Sequence, residues 1–220
     1  MGDRAAWYKV GPVLAVSDGP ALVRELTARG KAVFLDLKWH DIPNTVAGAV
    51  DAAAALGVAL ATVHLAGGRA MLEAAAGARA GSGLRLVGVG VLTSLDAAQF
   101  GAILGRPVAD VADEQERLVR SGLGVLDGFV TAVAEAPRLR ALAGAGAFLV
   151  TPGIRRAGEA RGDQVRTATA SEAARAGSDL LVVGRPVTGA ADPPAAFEAM
   201  VQEIGGEVGK WRRREGGRGK

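Results

Sequence analysis

The chain contains no cysteine, which excludes disulfides, thiolate catalysis and cysteine-bound zinc. Its only histidines are His40 and His64, too few for a histidine-rich metal site. No apolar run reaches the ~18 residues that a membrane-spanning helix needs. Gly2, Asp3 and Arg4 precede only a short apolar stretch, so no signal peptide is expected at the N-terminus. A soluble cytoplasmic protein follows as the expectation. Lysine is also scarce: of 26 basic residues, only Lys9, Lys31, Lys38, Lys210 and Lys220 are not arginine. Arginine therefore serves nearly every generic surface charge, and a lysine within an apolar stretch asks for a reason. Lysine can hand over a proton when its surroundings shift its pKa, whereas arginine effectively cannot. Lys9 and Lys38 both sit inside apolar runs, while Lys31 follows Gly30 at a strand start and is expected to point to water.

What is present is enough for one folded unit. The 220 residues are 49% hydrophobic and 22% charged, which excludes a disordered chain. A core of this size buries roughly 70% of the unfolded surface. The formal charge of +3 misleads, because Lys210–Lys220 holds six basic residues and one acid, leaving residues 1–209 at −2 (20 basic against 22 acidic). The basic character belongs to a short Gly/Arg tail, read as a solubilising appendix in preference to a contact for nucleic acid or lipid headgroups.

The apolar runs are of two alternating kinds. Short β-rich runs lie at Trp7–Gly11, Ala32–Leu37, Leu60–Leu65, Leu84–Val91, Val125–Thr131, Ala147–Thr151 and Leu180–Gly184. Segments with helical spacing lie between and after them, at Gly19–Arg29, Pro43–Leu56, Gly68–Arg79, Val108–Ser121, Ala134–Leu142, Ser171–Ala176 and Pro193–Ile204. Strands alternating with helices predict βαβ units and a parallel sheet. Seven units approach the eight of a (β/α)8 barrel, which typically needs ~250 residues. The expected fold is a TIM barrel without its first β-strand/helix unit, spanning residues 1–204 as one domain, with 205–220 as the tail. A doubly wound open sheet is the competing architecture.

The sharpest segment runs from Val33 to Thr45, VFLDLKWHDIPNT. It opens as a strand, and strand side chains alternate faces with period two. Val33, Leu35 and Leu37 share the face that packs on helices. Phe34, Asp36 and Lys38 share the other, which in a barrel is the interior. An acid and an amine thus project side by side near the C-terminal strand end, where barrel enzymes place catalytic residues. Asp41 falls in the following loop, and Pro43 suits the first turn of the next helix. A buried structural ion pair gains little net stability against desolvation, so function explains the pair more easily.

A second constellation follows the last two strands. Thr151-Pro152-Gly153-Ile154-Arg155 and Val182-Val183-Gly184-Arg185-Pro186 each combine a strand end, a glycine and an arginine. Loops at this place in barrels frequently form a phosphate site. Glycine lets backbone N–H groups approach an anion, and arginine offers a two-pronged fork. Thr93-Ser94 either places hydroxyls at the same barrel face or caps a helix over Leu95–Ile103. His64 is read as a hydrogen-bonded structural residue. The Gly-containing stretch Arg156–Arg166 reads as a mobile loop and a candidate lid, with Gln164 its one amide able to reach a ligand.

With these residues on the page, the chain resembles the orotidine 5'-phosphate decarboxylase family. The likeness rests on KVG at Lys9–Gly11, DLKWHDIPNTV at Asp36–Val46, LTS at Leu92–Ser94, TPGIR at Thr151–Arg155, GDQ at Gly162–Gln164 and VVGRPVTGAADP at Val182–Pro193. It implies cofactor-free decarboxylation of orotidine 5'-phosphate to UMP, the last step of de novo pyrimidine nucleotide synthesis. It also implies a (β/α)8 barrel and a homodimer with shared active sites. By position, Lys9, Asp36 and Lys38 match the family's charged network, Lys38 being its proton donor. Asp41, Ile42 and Thr45 match residues lent by the neighbouring subunit. Thr93 matches the pyrimidine contact, and Pro152, Arg155, Gln164, Gly184 and Arg185 match lid and phosphate contacts. No metal, cofactor or nucleic-acid partner is implied.

The sequence departs from the family at its start, where an acidic strand contacting the ribose hydroxyls is expected; Asp3 is not in strand context and does not inherit that role. A seven-strand ring with an open edge exposes unpaired backbone groups and is prone to association. Two alternatives stay open. Related sugar-phosphate lyases, such as 3-keto-L-gulonate 6-phosphate decarboxylase, share the D-x-K-x-x-D strand but use Mg2+. A non-catalytic nucleotide-binding or assembly module is the other.

Overall fold

β-branched and aromatic residues fit a pleated, half-buried surface, and Ala, Leu, Glu and Arg favour helix. In the computed structural model, which describes residues 1–156 and 166–205, the alternating runs become alternating elements. Strand β1 (Trp7–Val10) leads to α1 (Pro12–Ser17) and α2 (Gly19–Ala28), and β2 (Ala32–Trp39) to α3 (Pro43–Ala55). Next come β3 (Leu60–His64) with α4 (Gly68–Ala78), then β4 (Arg85–Val89) with α5 (Ala97–Leu104) and α6 (Val111–Gly122). Then follow β5 (Gly128–Val130) with α7 (Ala136–Ala143) and β6 (Phe148–Thr151) with α8 (Ala170–Arg175). Last is β7 (Leu180–Leu181) with α9 (Arg185–Thr188) and α10 (Pro193–Ile204). The strands form one sheet in the order β1-β2-β3-β4-β5-β6-β7, every pairing parallel.

That order is the order of a (β/α)8 barrel, and the expected TIM-barrel architecture with seven strands is what the chain adopts. Among the described residues no ladder joins β7 to β1. The first residues of the chain nonetheless reach across to the last helix. Met1 packs on a cluster with Leu181, Phe197 and Ile204, and Arg4 Nε is paired with Glu198 of α10.

Both faces of the sheet are covered, and the alternation of side chains divides the core into layers. Val33, Leu35, Ala61, Val63, Leu86 and Leu149 point outward into the layer shared with the helices. Their neighbours Phe34, Leu60, Val87 and Val150 point inward and meet Trp7, Val130, Phe148 and Val182. Each fully buried Leu or Phe contributes roughly 1.5–3 kcal/mol. Together the two layers account for the near-continuous apolar strands.

Several boundaries differ from the sequence expectation for local reasons. Residues 12–17 form the short helix α1, because Pro12 stands at its first turn, where the missing N–H costs nothing. Helix α5 is capped by Asp96, whose side chain accepts the Gln99 N–H while Gln99 returns the bond, a capping box. Thr93 and Ser94 are therefore not its caps. Strands β5 and β7 are shorter than their apolar runs, and past β7 the Val182 N–H still donates to the Thr151 carbonyl at 2.9 Å. The loop expected at 156–166 and the tail expected at 205–220 lie almost wholly outside the described residues, and Gln164 with them.

Two aspartates tie helix to sheet at the N-terminal end of the barrel in the same way. Asp127 accepts the Leu86 N–H at 2.7 Å and pairs with Arg79 at 3.2 Å. Asp179 accepts the Leu149 N–H at 2.8 Å and pairs with Arg140. In each case an acid just before one strand holds the backbone of the preceding strand and an arginine, Arg79 at the C-cap of α4 or Arg140 within α7. Arg140 also donates to the Gly177 carbonyl at 2.8 Å, and its side chain is only 18% exposed. Asp179→Ala leaves this guanidinium without its counter-charge, which is expected to destabilise the fold by about 3 kcal/mol. Urea denaturation measures it; a change below about 1 kcal/mol would mean that the tie is not structural.

Candidate active site

At the other end of the barrel, the inner face turns from apolar to charged. Phe34 and Leu60 fill the interior, and one step further along their strands stand Asp36 and Thr62. The Asp36 carboxylate receives the Lys38 ammonium at 2.7 Å, the Lys9 ammonium at 3.3 Å and the Thr62 hydroxyl at 3.2 Å. Asp36 is 15% exposed, so these interactions are only partly screened. The same Thr62 oxygen accepts the Lys38 backbone N–H at 2.8 Å.

Lys38 is also where the backbone is strained. Its φ of +52° makes it the single non-glycine residue with positive φ among the described residues. A left-handed conformation costs an L-residue roughly 1–2 kcal/mol. The β2–β3 register shifts between Leu35 and Trp39, so the end of β2 bulges away from the regular ladder. Such irregularities re-aim side chains, and they persist only where neighbours over-determine them. Here Thr62 holds the backbone of Lys38 and Asp36 holds its ammonium.

This cluster forms one wall of a cavity of about 430 Å3 at the C-terminal strand ends. The opposite wall carries Thr93 and Ser94 after β4, Pro152, Gly153 and Arg155 after β6, and Gly184 and Arg185 after β7. Val130, Val150 and Val182 give it an apolar floor. Gly153 has φ +81°, a turn that a side chain would strain. Among the described residues lining this space, Lys9, Lys38, Arg155 and Arg185 are cationic and Asp36 is the one carboxylate. The cavity therefore favours an anionic ligand, with separate cationic groups at each end.

Of the residues expected from sequence, the structure brings together Lys9, Asp36, Lys38, Thr93, Pro152, Arg155, Gly184 and Arg185. It does not bring in Asp41, Ile42 or Thr45. These three are exposed, Ile42 to 67%, and Asp41 accepts the N–H of Ile42 at 2.7 Å. Thr62 was missed by sequence reasoning. Its signal was present: it is the one hydroxyl in the run Leu60–Leu65 and lies two residues after inward-facing Leu60.

Comparison with known proteins places the chain among decarboxylases. The sequence model described as the orotidine 5'-phosphate decarboxylase / HUMPS family matches residues 1–200. The orotidine 5'-phosphate decarboxylase of Anaeromyxobacter sp. (strain K) is 51% identical over 194 residues, covering 87% of this chain and 84% of that protein. That of Halorhodospira halophila is 51% identical over 207 residues, 93% and 87% of the two chains. The crystal structure of orotidine 5'-phosphate decarboxylase from Lactobacillus acidophilus superposes with a TM-score of 0.77 at 34% identity, over 90% of this chain and 86% of its own.

Beside Lys38, the rings of His40 and His64 stack at 5.1 Å with an interplanar angle of 16°. His64 Nδ1 accepts the Ala66 N–H at 3.2 Å, which leaves the proton on Nε2 and caps the turn Leu65–Gly67. Burial, then the neighbouring His40 and Lys38, hold the His64 pKa below the ordinary 6.5. The folded protein thus resists protonation that the unfolded chain accepts. The stability this site contributes is complete above pH 6.5 and is lost as pH falls through the lowered value. Urea midpoints are expected to drop between about pH 7 and 5, and to drop less in His64→Asn, which keeps an acceptor for Ala66. Equal pH dependence in the two proteins would remove His64 as the cause.

Proposed function

Since the chain belongs to the orotidine 5'-phosphate decarboxylase / HUMPS family, we propose that it decarboxylates orotidine 5'-phosphate to UMP without a cofactor, as a cytoplasmic enzyme of pyrimidine nucleotide synthesis. The observation that carries this is the Lys9–Asp36–Lys38 cluster facing a cationic cavity with arginines at its far end.

The chemistry asks for such a cluster. When the bond between C6 of the pyrimidine and its carboxylate breaks, CO2 leaves and the electron pair stays on C6. No ring position delocalises that charge. An ammonium fixed beside C6 stabilises it only as it develops, which is the kind of interaction that raises kcat. In this assignment the Lys38 ammonium then gives its proton to C6 and becomes a neutral amine. Asp36 holds the ammonium aimed until that moment, and Lys9 balances Asp36 from the other side. The left-handed backbone of Lys38 supports the assignment, since strain of this kind gathers where a side chain must point in one direction. Thr93 is assigned to the pyrimidine. Arg155 and Arg185, with Pro152 and Gly184, are assigned to the phosphate, as is Gln164 by sequence position. Phosphate binding lies far from the reacting bond, and its energy can hold the site assembled.

A homodimer belongs to the same proposal. Asp41, Ile42 and Thr45 stand exposed on the rim, unused by their own cavity. They are assigned to the partner subunit's cavity, where Asp41 would complete the alternation of charges around Lys38.

The seam between β7 and β1 favours a second reading, a protein that binds the nucleotide without turning it over. Mixing the chain with orotidine 5'-phosphate, without added metal, and following the ultraviolet absorbance separates the two. Loss of absorbance supports the enzyme, and UMP binding without that loss supports the binding module. Activity that appears only with Mg2+ would favour a sugar-phosphate lyase type of site. Lys38→Ala is expected to abolish turnover while UMP still binds, and near-normal turnover would remove the proton-donor role. Arg185→Ala is expected to weaken UMP binding by roughly 1.5–3 kcal/mol, the range for a hydrogen bond to a charged group. Calorimetric titration with UMP measures it, and an unchanged affinity would take Arg185 out of the phosphate site.

A further inference from the structure

Thr62 carries a buried hydroxyl to which the chemistry above gives no part. The residue is fully enclosed within β3, and its one oxygen serves two partners distant in the sequence. It accepts the Lys38 backbone N–H at 2.8 Å and donates to Asp36 Oδ1 at 3.2 Å. A hydroxyl has one proton and two lone pairs, so it does both at once. Asp36 Oδ1 also takes the Lys38 ammonium at 2.7 Å, while Oδ2 takes the Lys9 ammonium at 3.3 Å. Thr62 thus holds Lys38 twice, at its peptide directly and at its ammonium through Asp36.

The need for such a hold arises at the end of β2. The ladder to β1 ends at Leu35, and the ladder to β3 passes from Leu35 opposite Ala61 to Trp39 opposite Val63. Residues 36–38 of β2 therefore face a single residue of β3, and that residue is Thr62. A bulge of this kind leaves peptide groups without ladder partners, and an enclosed donor without an acceptor is costly. The Thr62 hydroxyl takes the place of the ladder for Lys38. It stands on a firm base, because on its other side β3 pairs with β4 in unbroken register, from Leu60 opposite Arg85 to His64 opposite Val89. Branching at Cβ restricts the threonine rotamer, so the strand keeps the hydroxyl aimed in one direction. For packing alone, valine has nearly the same shape and buries no polar atom.

Resting on the assignment of Lys38 as proton donor, we infer that Thr62 is a positioning residue for that step: its hydroxyl stands in for the missing ladder bond, keeps the Lys38 peptide in its left-handed conformation and so aims the ammonium into the cavity. Without the hydroxyl, the Lys38 backbone relaxes toward the regions that L-residues prefer, and the ammonium moves with it. The Asp36 carboxylate loses the neutral donor that fixes its Oδ1 edge. Misplacing a reacting group by an ångström costs roughly a hundredfold in rate. Nucleotide affinity, carried by the arginines of the opposite wall, is left nearly untouched. Thr62 is not among the residues that line the cavity, so it acts only through Lys38 and Asp36.

The test compares Thr62→Val, which keeps the shape and removes the hydroxyl, with Thr62→Ser, which keeps the hydroxyl. Turnover of orotidine 5'-phosphate, calorimetric affinity for UMP and hydrogen exchange of the Lys38 amide by NMR are read in each, and the thermal midpoint verifies the fold. In T62V, kcat is expected to fall about ten- to a hundredfold while UMP affinity stays within about twofold of the wild type. The Lys38 amide is expected to exchange at least about tenfold faster than in the wild type. T62S is expected to restore both turnover and protection. Wild-type kcat in T62V overturns the inference, and so does a T62S variant as slow as T62V. An equal loss of kcat and UMP affinity also overturns it, since that is the mark of a merely structural threonine. Where T62V does not fold, Thr62→Ala, which also lacks the hydroxyl, is read in its place. A wild-type protein that releases no CO2 sinks the decarboxylase assignment instead, and the Lys38 exchange rate then decides the hold of Thr62 by itself.

Discussion

The Asp36 carboxylate takes two ammonium groups and a hydroxyl at once, and the arrangement of the cavity depends on that convergence. Its three partners come from three successive strands, β1, β2 and β3. A parallel sheet can supply them because its register sets Lys9 beside Phe34, with Asp36 one inward-facing step further along. The carboxylate is too enclosed for water to satisfy it fully, and the lysines would repel each other without it. Removing Asp36 leaves two ammonium groups without a counter-charge, so the cluster depends on that carboxylate. It also explains why a lysine tolerates a left-handed backbone at the end of β2. Thr62 fixes the peptide from the next strand, and the ion pair fixes the side chain.

The cavity has two ends with different work. The lysine end is fixed by its own ion pairs, as electrostatic stabilisation of a developing charge requires. The arginine end is built on turns after β6 and β7, where glycines open the backbone. A ligand bridging both must carry negative charge at each end and an uncharged ring between them to lie on Val130, Val150 and Val182. Orotidine 5'-phosphate has this form. The gap between the ends is spanned by the turn after β4, and Gln115 and Arg166 hold that turn to the rest of the barrel. At the opposite end of the barrel, the aspartate ties at Asp127 and Asp179 serve only the fold. Charge at the N-terminal face thus secures the sheet and charge at the C-terminal face lines the cavity, the division usual in this architecture.

Much of this was legible in the linear chain. The inward pair Asp36 and Lys38 could be read from period two and from the scarcity of lysine. The arginines after the last two strands could be read from their place behind glycine. Less could be read where the decisive contact is long in sequence. Thr62 lies 26 residues from Asp36, and Arg166 lies 74 from Leu92. The period-two pattern marks Thr62 as an inward hydroxyl but does not say which carboxylate it meets, and nothing local distinguishes Arg166 from a surface arginine. Whether Thr93-Ser94 faced the cavity or capped the next helix was likewise open until Asp96 was seen to cap it with Gln99.

The order of strands and helices, the two-sided burial of the sheet and the residues that face inward were determined by the sequence alone, because they follow from hydrophobic period and chain direction. The meeting of Lys9, Asp36, Lys38 and Thr62 on one oxygen pair, the bulge that turns Lys38 and the exposure of Asp41, Ile42 and Thr45 were decided only by the tertiary structure. The reason is physical: periodicity tells which way a side chain points from its own strand, but distances between charges on different strands depend on register, twist and closure. Those arise only when the whole sheet curls round its core.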